Sequence, residues 1–171
     1  EHATKHGCAA VADYRELAGR VDAVSIAVPS SMHWDVGRFF LENGIHVLME
    51  KPIADTVESG RALVDLAREK GLILQIGHLE RFAAVRMALQ EVLTRPLFIE
   101  SSRITPFQAR VADVSVMLDL MIHDIDMVLS LAKAPVKHLN AIGAPVFSPH
   151  ADVAQTRLLF ENGCVPDVTA S

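Results

Sequence analysis

The residues best suited to chemistry lie in one otherwise apolar segment, Ser115 to Leu131. At about 100° per residue, the polar residues that share one helical stripe are Ser115, Asp119, His123, Asp126 and Ser130. The stripe carries short acids and a histidine, but no long charged side chain. Asp119 and His123 are spaced to touch on one face. A carboxylate beside an imidazole orients the ring and raises its basicity, as a general base requires.

Two other interpretations of this stripe remain open. It could be an ordinary solvated face, although such faces usually carry Lys, Glu and Arg. Asp119, His123 and Asp126 could also ligate a metal ion with help from His78. That spacing matches no strong metal motif, so we predict no metal site.

Lys51 is the second candidate for chemistry. It ends an apolar stretch that is typical of a strand and is followed by Pro52. A lysine at the carboxyl end of a parallel strand points into the ligand crevice. The alternative is an ordinary surface lysine that follows a strand.

The elements that position Lys51 alternate between strand and helix. Apolar runs predict strands over Val21–Val28, Ile45–Met49 and Leu72–Ile76. Helical spacing follows Met32 and ends at Gly44. A second helix starts at a capping box of Asp55 with Glu58 and ends at Lys70–Gly71. This β-α-β-α-β order predicts a parallel sheet, with ligands outside its carboxyl edge.

A different pattern begins after His78. It predicts a helix over Ala83–Leu93, a strand over Leu97–Ile104 with alternating burial, and one long helix over Ser115–Leu131. It also predicts strands near 136–142 and 153–160, and a partial strand to Ala170. An Asn-Gly turn lies between the last two strands, which favours antiparallel pairing. We predict two domains: an incomplete Rossmann-type α/β sheet over 1–78, and part of an α+β domain with a largely antiparallel sheet over 79–171.

Composition narrows the classes of function. The 171 residues carry a formal net charge of −5 with no basic run, which argues against nucleic acid as a partner. No apolar run approaches the roughly 20 residues that cross a bilayer, and the first residues resemble no signal peptide. Two distant cysteines, Cys8 and Cys164, suit a reducing compartment. We therefore expect a cytoplasmic protein without a membrane partner.

Two separate motifs carry a family resemblance. The strand-terminal Glu50-Lys51-Pro52 follows A-V-P-S-S-M-H by some twenty residues, and D-L-M-I-H-D begins at Asp119. In this order they resemble the Gfo/Idh/MocA oxidoreductases over nearly the whole chain. The segment G-H-L-E-R-F, which begins at Gly77, makes the sequence most similar to the UDP-N-acetylglucosamine 3-dehydrogenase branch.

The resemblance implies roles for particular residues. Lys51 would polarise and position the substrate hydroxyl, His123 would be the general base, and Asp119 would orient it. The residues expected near the nicotinamide half of the cofactor are Val28, Pro29, Ser30 and His33, with Glu50 and Pro52 shaping the loop beneath it. His78 and Arg81 stand where the family often has Asn and Arg, and could touch cofactor or substrate. Arg81, Arg103 and Arg110 could bind a diphosphate, although each alone is more typical of a surface ion pair.

No G-x-G-x-x-G follows a strand in this sequence, because the early glycines Gly7 and Gly19 have no strand before them. We therefore expect the pyrophosphate-binding unit of the fold, and the residue that separates NAD from NADP, to lie outside these residues. NAD is the favoured cofactor.

The implied reaction is hydride transfer between a secondary hydroxyl of a sugar and a nicotinamide cofactor. The favoured substrate is a UDP-amino sugar at its C3 position. A free-sugar or inositol dehydrogenase, and a non-catalytic sugar-nucleotide or cofactor sensor on the same fold, are the alternatives. The full-length protein is expected to be a homo-oligomer, either a dimer or a tetramer.

Overall fold

The computed structural model describes residues 2–106 and 114–171. Arg110, one of the arginines predicted to bind a diphosphate, lies outside these residues. The chain forms two compact units, Glu1–Gly77 and His78–Ser171. Each unit has its own sheet and its own apolar core.

The first unit contains a three-stranded parallel sheet, which confirms the predicted α/β arrangement. Its strands are β1 (Ala23–Ile26), β2 (His46–Met49) and β3 (Leu74–Ile76), in the order β1-β2-β3. Its helices are α1 (His2–His6), α2 (His33–Glu42) and α3 (Val57–Lys70), with short 3-10 helices at Tyr14–Leu17 and Ser30–Met32. Helices α2 and α3 follow β1 and β2, so each connects two neighbouring parallel strands.

The core of the first unit lies between the sheet and helices α2 and α3. Its most deeply buried side chains are Phe40, Leu41, Val47, Met49 and Leu63. Gly37 brings α2 close to β2, because a Cβ at this position would overlap the tip of Met49. The core holds the strands in register, so that their carboxyl ends lie at one edge of the sheet.

The amino-terminal cap of α3 differs from the prediction. Thr56, not Asp55, is the cap residue, and its hydroxyl accepts the main-chain N–H of Ser59 at 3.1 Å. The predicted box placed the start of the helix one residue too early. At the other end, Gly71 adopts φ 66° and closes the helix, as predicted.

The second unit contains a four-stranded mixed sheet. Its strands are β4 (Phe98–Arg103), β5 (Val136–Ala144), β6 (Val153–Phe160) and β7 (Val165–Ala170). In the order β4-β7-β6-β5, only the β4–β7 pair is parallel, which confirms the largely antiparallel sheet. Its helices are α4 (Ala84–Val92) and α5 (Ile122–Ala132), with a 3-10 helix at Leu79–Phe82.

Alternation along the strands of the second unit separates a packed face from an outer face. In β4 the half-buried residues are Ile99, Ser101 and Arg103, which alternate with exposed residues as the sequence pattern predicted. The inward side chains of β6 and β7 join α5 in the core, which includes Met121, Val128, Leu158, Phe160 and Val168. This packing fixes which face of α5 meets the sheet.

The predicted long helix over Ser115–Leu131 is wrong in its first part. Residues Met117–Met121 form a π-helical turn, and regular α-helix begins only at Ile122. A π turn holds more residues than an α turn. A stripe calculated at the α-helical angle therefore does not describe where Ser115 and Asp119 lie relative to Asp126.

Within 2–106 and 114–171, no helix is both long and apolar enough to cross a membrane.

Candidate active site

The carboxyl edge of the parallel sheet is built by backbone hydrogen bonds that run past the strand ends. The N–H of Glu50 donates to the carbonyl of Ile26 at 2.9 Å, and the N–H of Gly77 donates to that of Met49 at 2.7 Å. These bonds hold the residues that follow β1, β2 and β3 side by side at the carboxyl edge of the sheet. Lys51 comes directly after Glu50, is half-buried, and joins Pro52 through a cis peptide bond.

His33 lies inside this unit, with only 1% of its surface exposed. Its Nδ1 lies 2.6 Å from the carbonyl oxygen of Pro52, and its Nε2 lies 3.0 Å from that of Val28. Sequence reasoning placed His33 near the cofactor. In the structure its ring links the two segments that follow β1 and β2, so it can position Lys51 through Pro52.

Glu50 is placed by a glycine. A Cβ on Gly77 would lie 3.2 Å from Oε2 of Glu50, so the carboxylate rests against the bare main chain after β3. The segment after β1 is more open: Pro29 is exposed, whereas Val28 and Ser30 are half-buried. The predicted cofactor residues of the first unit therefore share one sheet edge.

In the second unit, Asp126 is the centre of a cluster of cationic side chains. It is 8% exposed. Arg81 binds its carboxylate with Nε and Nη2, and Arg86, itself buried, donates at 3.0 Å. Nδ1 of His78 lies 4.0 Å from the same carboxylate. Burial opposes ionisation of Asp126, but the hydrogen bonds from Arg81 and Arg86 outweigh it and hold the pKa of this carboxyl below its ordinary value.

This cluster corrects the interpretation of the polar stripe. Arg86 also donates to Ser130, so two residues of the stripe, Asp126 and Ser130, meet arginines from other segments. Asp126 is buried and Ser130 is half-buried, so they do not form a freely solvated face. Sequence spacing within the helix could not show this, because the partners lie forty or more residues earlier in the chain.

Asp124, the polar residue outside the predicted stripe, is 4% exposed. Ser101 donates to its Oδ1, and Nε of Arg103 donates to its Oδ2, both at 2.8 Å. The hydrogen bond with Asp124 is the main reason why the pKa of Arg103 lies above its ordinary value. Arg103, predicted as a possible diphosphate ligand, is thus held by a buried carboxylate.

His123 is mostly buried on α5, and Asp119 is half-buried in the π turn before it. Oε1 of Glu80 lies 3.6 Å from Nδ1 of His123. Sequence reasoning used Glu80 only as part of a motif and gave it no role. The signal that could have found it is its place between His78 and Arg81, both already candidates.

The structure therefore divides the predicted site residues between the units. The first holds Val28 to His33 and Glu50 to Pro52, whereas the second holds His78, Arg81, Asp119 and His123. Among the described side chains, no group of three or more His, Cys, Asp or Glu is placed to hold a metal ion.

Comparison with known proteins bears on both units. A family model described as "Oxidoreductase family, NAD-binding Rossmann fold" matches residues 1–78. The UDP-N-acetylglucosamine 3-dehydrogenase of Acidithiobacillus ferrooxidans is 36% identical over 100% of the chain and 55% of its own length. The scyllo-inositol 2-dehydrogenase (NAD(+)) of Bacillus subtilis is 29% identical over 88% of the chain and 48% of its own length.

A solved structure agrees with these relatives. That of the Acidithiobacillus ferrooxidans enzyme matches with a TM-score of 0.91 at 36% identity, covering 99% of this chain and 56% of that one. The chain spans about half the length of the curated relatives it matches. The similarity extends through both units and through both motifs of the sequence. Residues 1–78 thus match the Gfo/Idh/MocA family of oxidoreductases, and the chain as a whole is similar to the sugar dehydrogenases named above.

Proposed function

We propose that the full-length protein is a nicotinamide-dependent dehydrogenase that oxidises a secondary hydroxyl of a sugar, with the 3-hydroxyl of a UDP-amino sugar as its substrate. The observation that carries the proposal is the 36% identity with a UDP-N-acetylglucosamine 3-dehydrogenase over the whole chain. Lys51, Asp119 and His123, the residues needed for the chemistry, are all present. Their presence argues against a non-catalytic sensor.

The carboxyl edge of the parallel sheet suits the nicotinamide half of a dinucleotide, since ligands of such sheets bind there. After β1 this edge carries small side chains, of which Pro29 is exposed and Ser30 is half-buried. Val28, Pro29 and Ser30 would contact the cofactor, and Glu50 and Pro52 would support it. The bound cofactor would supply the hydride acceptor. NAD is proposed over NADP.

Lys51 and His123 are proposed to have different roles toward the substrate hydroxyl. The ammonium of Lys51 would hold and polarise the oxygen, which stabilises the negative charge that develops as the proton leaves. His123 would accept that proton, and Asp119 would help to orient the ring. These roles require His123 to be neutral before the reaction.

His78 and Arg81 are also proposed to contact cofactor or substrate. The His78 side chain is mostly buried, whereas Arg81 stays more than half exposed while it binds Asp126. Arg103 is held by Asp124 and Glu80. We therefore propose that Arg81, rather than Arg103, would bind a diphosphate of the substrate or cofactor.

Inositols and free sugars form the second candidate substrate class. The matching scyllo-inositol 2-dehydrogenase supports it. The reaction would be the same, but the substrate would carry no diphosphate. Removing the charge of Arg81 should then leave the Michaelis constant for the substrate nearly unchanged.

A substrate panel distinguishes these candidates. The full-length protein would receive NAD or NADP with UDP-N-acetylglucosamine, other UDP-sugars, free hexoses or inositols, while absorbance of reduced nicotinamide is followed. We expect turnover with the UDP-amino sugar and NAD. Turnover of inositols alone would remove the sugar-nucleotide proposal, and tight cofactor binding without any turnover would favour a sensor.

The cytoplasm is proposed as the compartment, with a homo-oligomer as the working form. Cys8 is exposed and Cys164 is buried, and both are free thiols, which suits a reducing compartment.

A further inference from the structure

A carboxylate near His123 comes from a segment that the sequence spacing did not indicate. Glu80 belongs to the 3-10 helix Leu79–Phe82, and His123 belongs to α5. Oε1 of Glu80 lies 3.6 Å from Nδ1 of His123, within ion-pair distance of a protonated ring. We propose that Glu80, held in place by Arg103, is a positioning residue that orients His123 for proton transfer. The inference rests on the proposed function, in which His123 is the base.

Arg103 fixes the Glu80 carboxylate through both of its oxygens. Nη1 of Arg103 donates to Oε1 at 3.0 Å, and Nη2 donates to Oε2 at 2.9 Å. Such a paired contact sets the plane of the carboxylate as well as its position. Each oxygen keeps a second lone pair. Oε1 can therefore accept a hydrogen bond from His123 without leaving the arginine.

The arginine is anchored from its other side. Its Nε donates to the buried Asp124 at 2.8 Å, and Ser101 donates to the same carboxylate. Arg103 and Ser101 lie on β4, so the sheet carries the anchor. This chain of contacts from β4 to Glu80 gives the carboxylate a defined place beside the ring, although Glu80 itself is partly exposed.

The position of Glu80 determines what the ring can do. A carboxylate beside Nδ1 favours the tautomer with its proton on Nδ1, which leaves the Nε2 lone pair to accept a proton. It also stabilises the imidazolium that forms when the base takes that proton. A separation of 3.6 Å exceeds a hydrogen bond, and such contacts commonly shorten when the complex with substrate forms.

Other ionisable groups lie on the elements that carry this pair. On the 79–82 segment, β4, the π turn and α5 these groups are Glu80, Arg81, Glu100, Arg103, Asp119, Asp124 and Asp126, with His78 just before them. Glu100 lies on the exposed face of β4. Arg103 is held by two carboxylates, and Arg81 and Arg86 surround Asp126. Removing the charge of Glu80 alone therefore leaves the other ion pairs in place.

The test compares Glu80→Gln with Glu80→Asp in the full-length protein, with Glu91→Gln as the matched control on the exposed face of α4. Steady-state kinetics with UDP-N-acetylglucosamine and NAD would be measured against pH, and ring titration of His123 would be followed by NMR. The signal is assigned by its loss in His123→Gln. We expect Glu80→Gln to lower kcat about 10- to 100-fold, with little change in the KM for NAD.

The pH readouts separate positioning from a purely structural role. In Glu80→Gln, the midpoint of the His123 titration and that of the kcat profile should both fall by about half to one pH unit, because a neighbouring negative charge is lost. Glu80→Asp should recover most of the midpoint shift. Glu91→Gln should match the wild type in all of these measurements.

An unchanged His123 midpoint in a folded Glu80→Gln protein would overturn the inference, even if kcat falls. If Glu80→Gln does not fold, Arg103→Lys keeps the carboxylate but loosens its anchor, and should lower kcat with a smaller shift of the midpoint. Unchanged kcat and midpoint in that variant would also overturn the inference. A wild-type protein that turns over no sugar would contradict the proposed function, whereas the NMR titration would still decide whether Glu80 acts on His123.

Discussion

Nδ1 of His33 lies 2.6 Å from the carbonyl oxygen of Pro52, while Nε2 of the same ring lies 3.0 Å from the carbonyl of Val28. One buried side chain thus joins the segment that carries Lys51 to the segment after β1. Because Pro52 follows Lys51 directly, the ring can control where the lysine main chain lies. His33 is the first residue of α2, so the helix sets its position.

We predict that His33→Ala lowers kcat of the full-length protein at least about tenfold, with little change in the dissociation constant for NAD. The free energy of unfolding should fall by roughly 2–4 kcal/mol, since the change removes a buried hydrogen bond and leaves a cavity. Urea unfolding and steady-state kinetics would measure both effects. His150→Ala, on an exposed loop, is the control. A large loss of NAD affinity with normal stability would instead indicate direct contact with the cofactor.

Lys51→Met should lower turnover at least about 100-fold, because it removes the charge that stabilises the developing alkoxide. Cofactor affinity should change little, since methionine keeps the length and the apolar stem. Stopped-flow formation of reduced nicotinamide and titration calorimetry with NAD would measure the two quantities. Lys70→Met, at the exposed end of α3, should behave as wild type. Near-normal turnover of Lys51→Met would remove the role assigned to this lysine.

His123→Ala should abolish measurable oxidation, and Asp119→Asn should reduce it less. In the wild type, the oxidation rate should rise with pH through one ionisation, because a base must lose its proton before it can accept another. Circular dichroism should show that both variants keep their helices. If His123→Ala unfolds the protein while activity per folded molecule stays constant, the histidine has a structural role only.

Asp126→Ala should lower the free energy of unfolding by about 3–5 kcal/mol, because it leaves the buried charge of Arg86 without its partner. The pKa of Asp126 is lowered in the folded protein. Its stabilising effect is therefore complete above the ordinary carboxyl pKa of about 4, and is lost as the pH falls through the lower folded value. Urea unfolding at several pH values would measure this.

A surface carboxylate provides the control for the Asp126 prediction. Asp65 pairs with Arg68 on the exposed face of α3. Asp65→Ala should cost less than about 1 kcal/mol, because water screens such pairs. Equal losses for Asp65→Ala and Asp126→Ala would show that burial of the Asp126 cluster contributes little to stability.

Most elements of the fold could be predicted from local patterns. Apolar spacing indicated α3, and Gly71 marked its end. Alternation along β4 indicated its half-buried face. These features follow from the repeat of side-chain directions in helices and strands, which is visible in the spacing of nearby residues. The family motifs around Lys51 and His123 were likewise readable as sequence.

Contacts between segments that are distant in the chain could not be predicted from neighbouring residues, and only the tertiary structure determined them. Asp126 receives Arg81 from 45 residues away, and Asp124 receives Ser101 from 23 residues away. Helical spacing predicted an open polar stripe that contained Asp126 and excluded Asp124, yet both acids are buried against arginines. The π turn before Ile122 rotates the preceding residues relative to the faces that α-helical spacing predicted. The fold also places Glu80 of the 79–82 segment near His123. An ion pair depends on where two distant segments meet, so only the folded chain determines which acids lie near the histidine.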